Sequence, residues 1–235
     1  MKKLDILNEQ LSEKKLLKVI AGLGNFDKNK VKNIVTAAIS GNAKSVDIAA
    51  DEELIKWAAA HENLVVFVSA LEPAILAKAS EYGADVLEIG NFDVIYAKGG
   101  TVTKEQVLNW TRELYSLVKD SSIICTTIPC LLPMDEQISL ATQLQAVGAG
   151  ILQIENLGAG KEDYYFECAR QIVSAVEIPT ILSGRLNSDN INKALKTGVN
   201  GVGVGKAINS LENLDNMVTT VKSLVAEIKQ NILVK

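Results

Sequence analysis

The chain has 235 residues, 48% apolar and 22% charged, and 28 acids against 24 bases leave a formal net charge of −4. A weakly acidic chain without a basic run lacks the electrostatic footprint for nucleic acid or for an anionic membrane surface. No apolar run approaches the ~20 residues that span a bilayer, so the expectation is one ordinary domain over residues 1–235.

Residues 1–17 mix Lys2, Lys3, Lys14 and Lys15 with Asp5, Glu9 and Glu13 and have no continuous apolar core, unlike a signal peptide or an acid-poor transit peptide. Leu4, Ile6, Leu7 and Leu11 suit a short amphipathic helix leaning on a domain over 18–235. From there, short β-branched runs alternate with helical patterns. Strands are expected near 18–23, 45–50, 65–70, 85–90, 122–128, 150–155, 179–184 and 201–205. Helices are expected at 27–40, 51–60, 72–82, 104–118, 134–147, 163–176, 188–197 and 213–231. Gly41, Gly83, Gly148 and Gly198 each follow a helical run, as a helix-ending glycine in the left-handed region does. Ser69 with Glu72 and Pro73, and Thr103 with Gln106, read as helix starts. Eight even strand–helix units predict a closed (β/α)8 TIM barrel, which takes ~250 residues, over an open doubly wound sheet.

A strand covered on both sides should be apolar on both faces. Three strands break this rule with a common parity: Val46-Asp47-Ile48, Leu87-Glu88-Ile89 and Leu152-Gln153-Ile154-Glu155. With Val, Leu and Ile turned to the helices, Asp47, Glu88 and Glu155 point into the barrel as candidate acid and base residues. Crowded acids in a dry space repel one another, which keeps a proton on at least one near neutral pH. The competing expectation is that hydrogen bonds satisfy Asp47 and Glu88, which then only brace the barrel. Glu155 stands where the strand gives way to the next loop.

The strongest local signal runs from Pro179 to Ile208. Loops after the seventh and eighth strands of such barrels, with a short extra helix, form a recurrent phosphate site. Ser183, Gly184, Arg185, Gly205 and Lys206 are the candidate cradle, with backbone amides at the glycines and two cations. A P-loop is excluded because Asn200 and Ala207 stand where it needs a glycine and a hydroxyl residue. The blander expectation is that Gly201, Gly203 and Gly205 relieve crowding inside the barrel. The word Gly-Asn-Phe-Asp occurs at 24–27 and again at 90–93, each time after a strand. Asn25, Asn91 and Ser69 are candidate substrate contacts, whereas Asp27 reads as a helix cap. The loops 94–102 and 157–162 fit lids over the mouth.

Scarcity narrows the chemistry further. His61 is the only histidine, so proton transfer falls to Asp, Glu, Lys, Cys or a cofactor unless His61 lies in the site. Cys125, Cys130 and Cys168 have no metal-ligand spacing and suit a reducing compartment, so no metal site is assigned. Mg²⁺ bridging carboxylates and phosphate stays open, as does association with copies of the same chain. Lys18 opens the first strand at the end away from the site, which disfavours a Schiff-base aldolase.

The runs 18–27, 46–51, 68–73, 88–93 and 201–205 together resemble the conserved hypothetical chloroplast reading-frame family of cyanobacteria and algal plastids, over nearly the whole chain. The resemblance implies a TIM barrel in a plastid stroma or a cyanobacterial cytoplasm, and it implies no reaction. Gln153-Ile154-Glu155-Asn156 departs from the Thr- and Gly-rich version associated with that group, which weakens a role for Glu155. Three functions are expected. One is an isomerase- or lyase-like enzyme on a phosphorylated small molecule, with Asp47 and Glu88 as acid and base. The others are an FMN-binding oxidoreductase and a non-catalytic metabolite sensor.

Overall fold

Each β-branched run becomes a strand in the computed structural model, which describes residues 2–155 and 162–233. The strands are β1 (Leu16–Gly22), β2 (Ser45–Ala49), β3 (Val65–Ala70), β4 (Val86–Ile89), β5 (Ile123–Ile128), β6 (Ile151–Glu155), β7 (Thr180–Ser183) and β8 (Gly201–Val204). They pair in parallel in chain order, and β8 returns to β1, so the sheet closes into a (β/α)8 TIM barrel. The helices are α1 (Lys3–Ser12), α2 (Lys28–Ser40), α3 (Glu52–Ala59), α4 (Pro73–Glu81), α5 (Asp93–Tyr96), α6 (Lys104–Val118), α7 (Met134–Ala146), α8 (Glu162–Ala175), α9 (Ile191–Leu195), α10 (Lys206–Asn209) and α11 (Leu214–Leu233).

Strand parity divides the interior into two apolar regions. Outward residues such as Val46, Ile48, Leu87 and Ile89 meet the apolar stripes of the helices, among them Ile34 of α2, Leu54 of α3 and Leu76 of α4. Inside the barrel, Leu16, Phe67, Val86, Cys125, Ile151 and Ile181 form a second cluster near the N-terminal ends of the strands. Ile6, Leu7 and Leu11 of α1 complete this cluster, so the first helix plugs the lower mouth while Leu4 stays exposed. In barrels of this kind the mouth at the C-terminal ends of the strands is where ligands are held.

Several local expectations are corrected. β1 begins at Leu16, two residues before the expected start, which puts Lys18 inside the strand. Gly41 is not left-handed (φ −86°); a Cβ there would lie 2.4 Å from Cγ1 of Val221 on α11, so the glycine serves packing, and Asn42 (φ 66°) makes the turn. Gly83, Gly148 and Gly198 have the expected positive φ. Thr103 caps α6 with the expected reciprocal bonds to Gln106, but α4 starts with Pro73 after Glu72, and the Ser69 hydroxyl is used elsewhere. The expected helix over 188–197 shortens to α9. The first expected lid opens with α5, and Phe92, Ile95 and Tyr96 pack onto the core, so it is no open loop. The second, at 157–162, lies outside the described residues except for Glu162.

Candidate active site

The parity that turns Val46, Ile48, Leu87 and Ile89 outward forces Asp47 and Glu88 into the lumen, where both are fully buried. Burial of two carboxyls is costly unless each finds partners. Glu88 finds the Lys18 ammonium, 0% exposed, in an ion pair through Oε2, and accepts at Oε1 from Gln153 Nε2 at 2.7 Å. Burial works against the Lys18 charge, but the Glu88 and Asp47 carboxylates outweigh it and hold its pKa above the ordinary lysine value. Lys18 therefore stays an ammonium, the form that is not a nucleophile.

Asp47 accepts from Ser69 Oγ at one oxygen and from Asn91 Nδ2 at the other, at 3.0 Å. Asn91 also donates to Ser69 Oγ (3.1 Å), and its own Oδ1 accepts from Gln153 Nε2 (3.2 Å). A continuous polar chain thus runs Lys18, Glu88, Gln153, Asn91, Asp47, Ser69 across the lumen. Burial pushes the Asp47 pKa up to about 7; Lys18 pulls it down, Glu88 pushes it further up, and the bonds from Ser69 and Asn91 pull it down again.

The sharp turn at Asn91 (φ 61°) folds its amide back over the lumen, a conformation asparagine tolerates better than most residues. The glycine before it, Gly90, lets Thr127 of β5 pack close, since a Cβ there would lie 1.8 Å from Thr127 Oγ1.

Above this chain opens a cavity of about 710 Å³. Its walls include Ser183, Gly184 and Arg185 after β7 and Gly205 and Lys206 after β8. Asn25, Asn91 and Glu155 line it from the other strand ends. Glu155, the last residue of β6, is buried; its Oε1 accepts from the Phe92 backbone N–H at 3.2 Å and its Oε2 has no hydrogen-bond partner among the described residues. Burial pushes the Glu155 pKa up to about 8, and Asp93 adds to the shift, while the Phe92 N–H pulls against it. A carboxyl shifted this far keeps its proton at neutral pH.

The expected site residues therefore separate into two levels. The cradle residues, Asn25, Asn91 and Glu155 share the cavity, whereas Asp47 and Glu88 lie beneath it among their own partners. The two Gly-Asn-Phe-Asp words also part company. Asp27 caps α2 through bonds from Asn29 N (3.0 Å) and Lys30 N (3.1 Å), as expected, and Phe26 is 58% exposed. In the second word Phe92 is buried, Asn91 joins the polar chain and Asp93 lines the cavity.

The glycines of β8 divide as well. A Cβ at Gly201 would lie 2.7 Å from Leu16 Cβ, and one at Gly203 would lie 2.9 Å from Ser183 Cβ, so these two relieve crowding. At Gly205 the nearest atom is 3.5 Å away, and packing does not require the glycine.

Sequence reasoning missed Lys18, Gln153 and Lys30 as site components. Lys18 carried the same signal as Asp47, a charge inside an apolar strand, hidden by a strand start placed two residues late. Gln153 shares the parity of Glu155. Lys30, on the first turn of α2, reaches the cavity only through the fold. Among the described residues no group of three or more His, Cys, Asp or Glu side chains is placed to hold a metal ion, and no helix is long and apolar enough to cross a membrane.

Fold and site define the class: a parallel (β/α)8 barrel, plugged below by its first helix, with a polar lumen and a basic cavity at the C-terminal mouth. The chain belongs to the family described as "Protein of unknown function (DUF561)", whose family model matches residues 1–234. It is 31% identical over 230 residues to the uncharacterized protein ycf23 of Cyanophora paradoxa, covering 93% of this chain and 94% of that one. The ycf23 protein of Porphyra purpurea is 27% identical over 237 residues, covering 96% of this chain and 89% of that one. These homologues are ycf23 proteins of plastid genomes, so the origin is plastid or cyanobacterial. Among solved structures, the barrel is similar to thiamine phosphate pyrophosphorylase from Pyrococcus furiosus, with a TM-score of 0.64 at 20% identity over 94% of this chain and 98% of that one. It is similar in fold to 3-hexulose-6-phosphate synthase from Salmonella typhimurium, with a TM-score of 0.70 at 12% identity over 92% of this chain and 99% of that one.

Proposed function

We propose that the chain binds a phosphorylated small molecule by its phosphate and moves a proton on it, in isomerase- or lyase-like chemistry. One observation carries this reading: a single cavity gathers Ser183, Gly184, Arg185, Gly205 and Lys206 together with the buried, proton-holding Glu155. Arg185 and Lys206 supply the charge that a phosphate dianion needs, and the open space beside Gly205 lets backbone approach its oxygens. The names of the structural neighbours, a thiamine phosphate pyrophosphorylase and a 3-hexulose-6-phosphate synthase, support a phosphorylated ligand.

In this reading the anchored phosphate fixes the carbon skeleton over Asn91 and Glu155. The neutral Glu155 carboxyl gives its proton to an oxygen on which negative charge develops, and the carboxylate that remains takes a proton in the return step. Asp47 and Glu88 are positioning residues: Asp47 holds the Asn91 amide, and Glu88, neutralised by Lys18, holds Gln153 against Asn91. The protein works in a plastid stroma or a cyanobacterial cytoplasm.

Calorimetric titration with inorganic phosphate and a panel of sugar phosphates tests the binding step. Arg185→Ala with Lys206→Ala weakens binding at least tenfold, since each charge-assisted bond contributes about 1.5–3 kcal/mol. Glu155→Gln keeps binding and abolishes turnover of whichever sugar phosphate the wild type converts. Binding without turnover in the wild type leaves a sensor, and a yellow, FMN-loaded protein makes it a flavin enzyme. No phosphate binding by the wild type refutes the reading.

A further inference from the structure

Beside the basic cavity lies a second recess of about 540 Å³, built from the ends of β1 to β4 and the helices that follow. Its walls include Phe26, Ala50, Leu71, Ile75, Val94 and Ala97, with Glu72 and Lys98 among the residues lining it. Phe26, after β1, is 58% exposed and Ile75, in the first turn of α4, is 40% exposed, and the two line the same recess as one apolar patch.

Two observations join this recess to the cavity. Leu23, Gly24 and Val94 line both, so a single ridge separates them. Asp47 sits beneath that division: its partner Ser69 lines the recess, and its partner Asn91 lines the cavity. One lobe is cationic and amide-rich, the other apolar, and a shared hydrogen-bonded carboxyl underlies the pair.

We propose that the two lobes hold one ligand, a phosphate monoester whose other end is an apolar or aromatic group seated on Phe26, Leu71 and Ile75. The reacting atoms then lie beside Asn91 on the Glu155 side of the ridge, between the phosphate and the apolar group. The proposal rests on the phosphate reading above and adds to it the chemical class of the substituent. A small, wholly polar sugar phosphate fills only the first lobe.

The test compares methyl phosphate with phenyl phosphate, dianions of equal charge that differ in apolar surface, by calorimetry on the full chain. Phenyl phosphate binds at least tenfold tighter, because burying ~60 Å² of apolar ligand surface suffices for that factor. In Phe26→Ser and Ile75→Thr the gain falls below threefold while methyl phosphate binds as before, which also shows that the variants fold. Equal binding of the two probes by the wild type overturns the proposal but leaves the phosphate reading intact, as does a gain that survives both substitutions. Failure of methyl phosphate itself to bind overturns both. A shift from dimer to monomer on sedimentation of Phe26→Ser also overturns it, because the recess is then a contact between copies of this chain.

Discussion

Glu155→Gln measures the environment of the cavity carboxyl directly. The folded protein raises the Glu155 pKa from 4.5 to about 8, chiefly through burial, so it holds a proton there that the unfolded chain has already released. Below pH 4.5 the group is neutral in both states, and the burial of its neutral form counts fully towards stability. As pH rises towards 8, the unfolded chain gains a hydrated carboxylate while the folded one keeps the acid, so this contribution is lost at about 1.4 kcal/mol per pH unit. Across the window this is on the order of 5 kcal/mol, reduced to about 2–4 kcal/mol by water reaching the cavity wall. Glutamine has the same shape, can still accept from the Phe92 N–H, and does not ionise. Urea denaturation of both proteins at pH 5, 6, 7, 8 and 9 therefore shows Glu155→Gln gaining on the wild type as pH rises, with the difference levelling above pH 8. Parallel stability curves across that range would refute the argument that Glu155 is buried against its charge.

Other outcomes follow from the same contacts. Lys18→Met strands the buried Glu88 carboxyl and costs about 3–5 kcal/mol in urea unfolding, whereas Lys18→Met with Glu88→Gln recovers most of it. Gly203→Ala forces a methyl to 2.9 Å from Ile20 Cδ1 and Ser183 Cβ and destabilises by about 1–3 kcal/mol. Gly205→Ala, with 3.5 Å to its nearest neighbour, stays within about 0.5 kcal/mol of wild type, and it weakens inorganic phosphate binding in calorimetry. Leu7→Ala removes a fully buried side chain from the lower plug and costs about 2–5 kcal/mol by chemical denaturation.

Strand parity explains why so much of the barrel was legible in one dimension. Alternation has a period of two, so one acid between apolar neighbours, as in Val46-Asp47-Ile48, states which face is the lumen wherever the strand begins. Helix starts with local chemistry were equally readable, as Thr103 with Gln106 illustrates. Where the partner was distant, local reading went astray. Gly41 looked like a helix end and is instead shaped by Val221, 180 residues further on. Ser69 looked like a cap and donates to Asp47 on the neighbouring strand.

The amino-acid order alone determined the repeat of strand and helix, the inward acids and the cluster of glycines and cations after the last two strands, because each depends on neighbours within a few residues. Tertiary structure decided which carboxyl borders the cavity. Barrel closure set Lys18 against Glu88 and Asn91 against Asp47, and left Glu155 beside the cavity with one oxygen unpartnered among the described residues. A carboxyl's protonation depends on the charges and water around it in space, and those come from strands far apart in the chain.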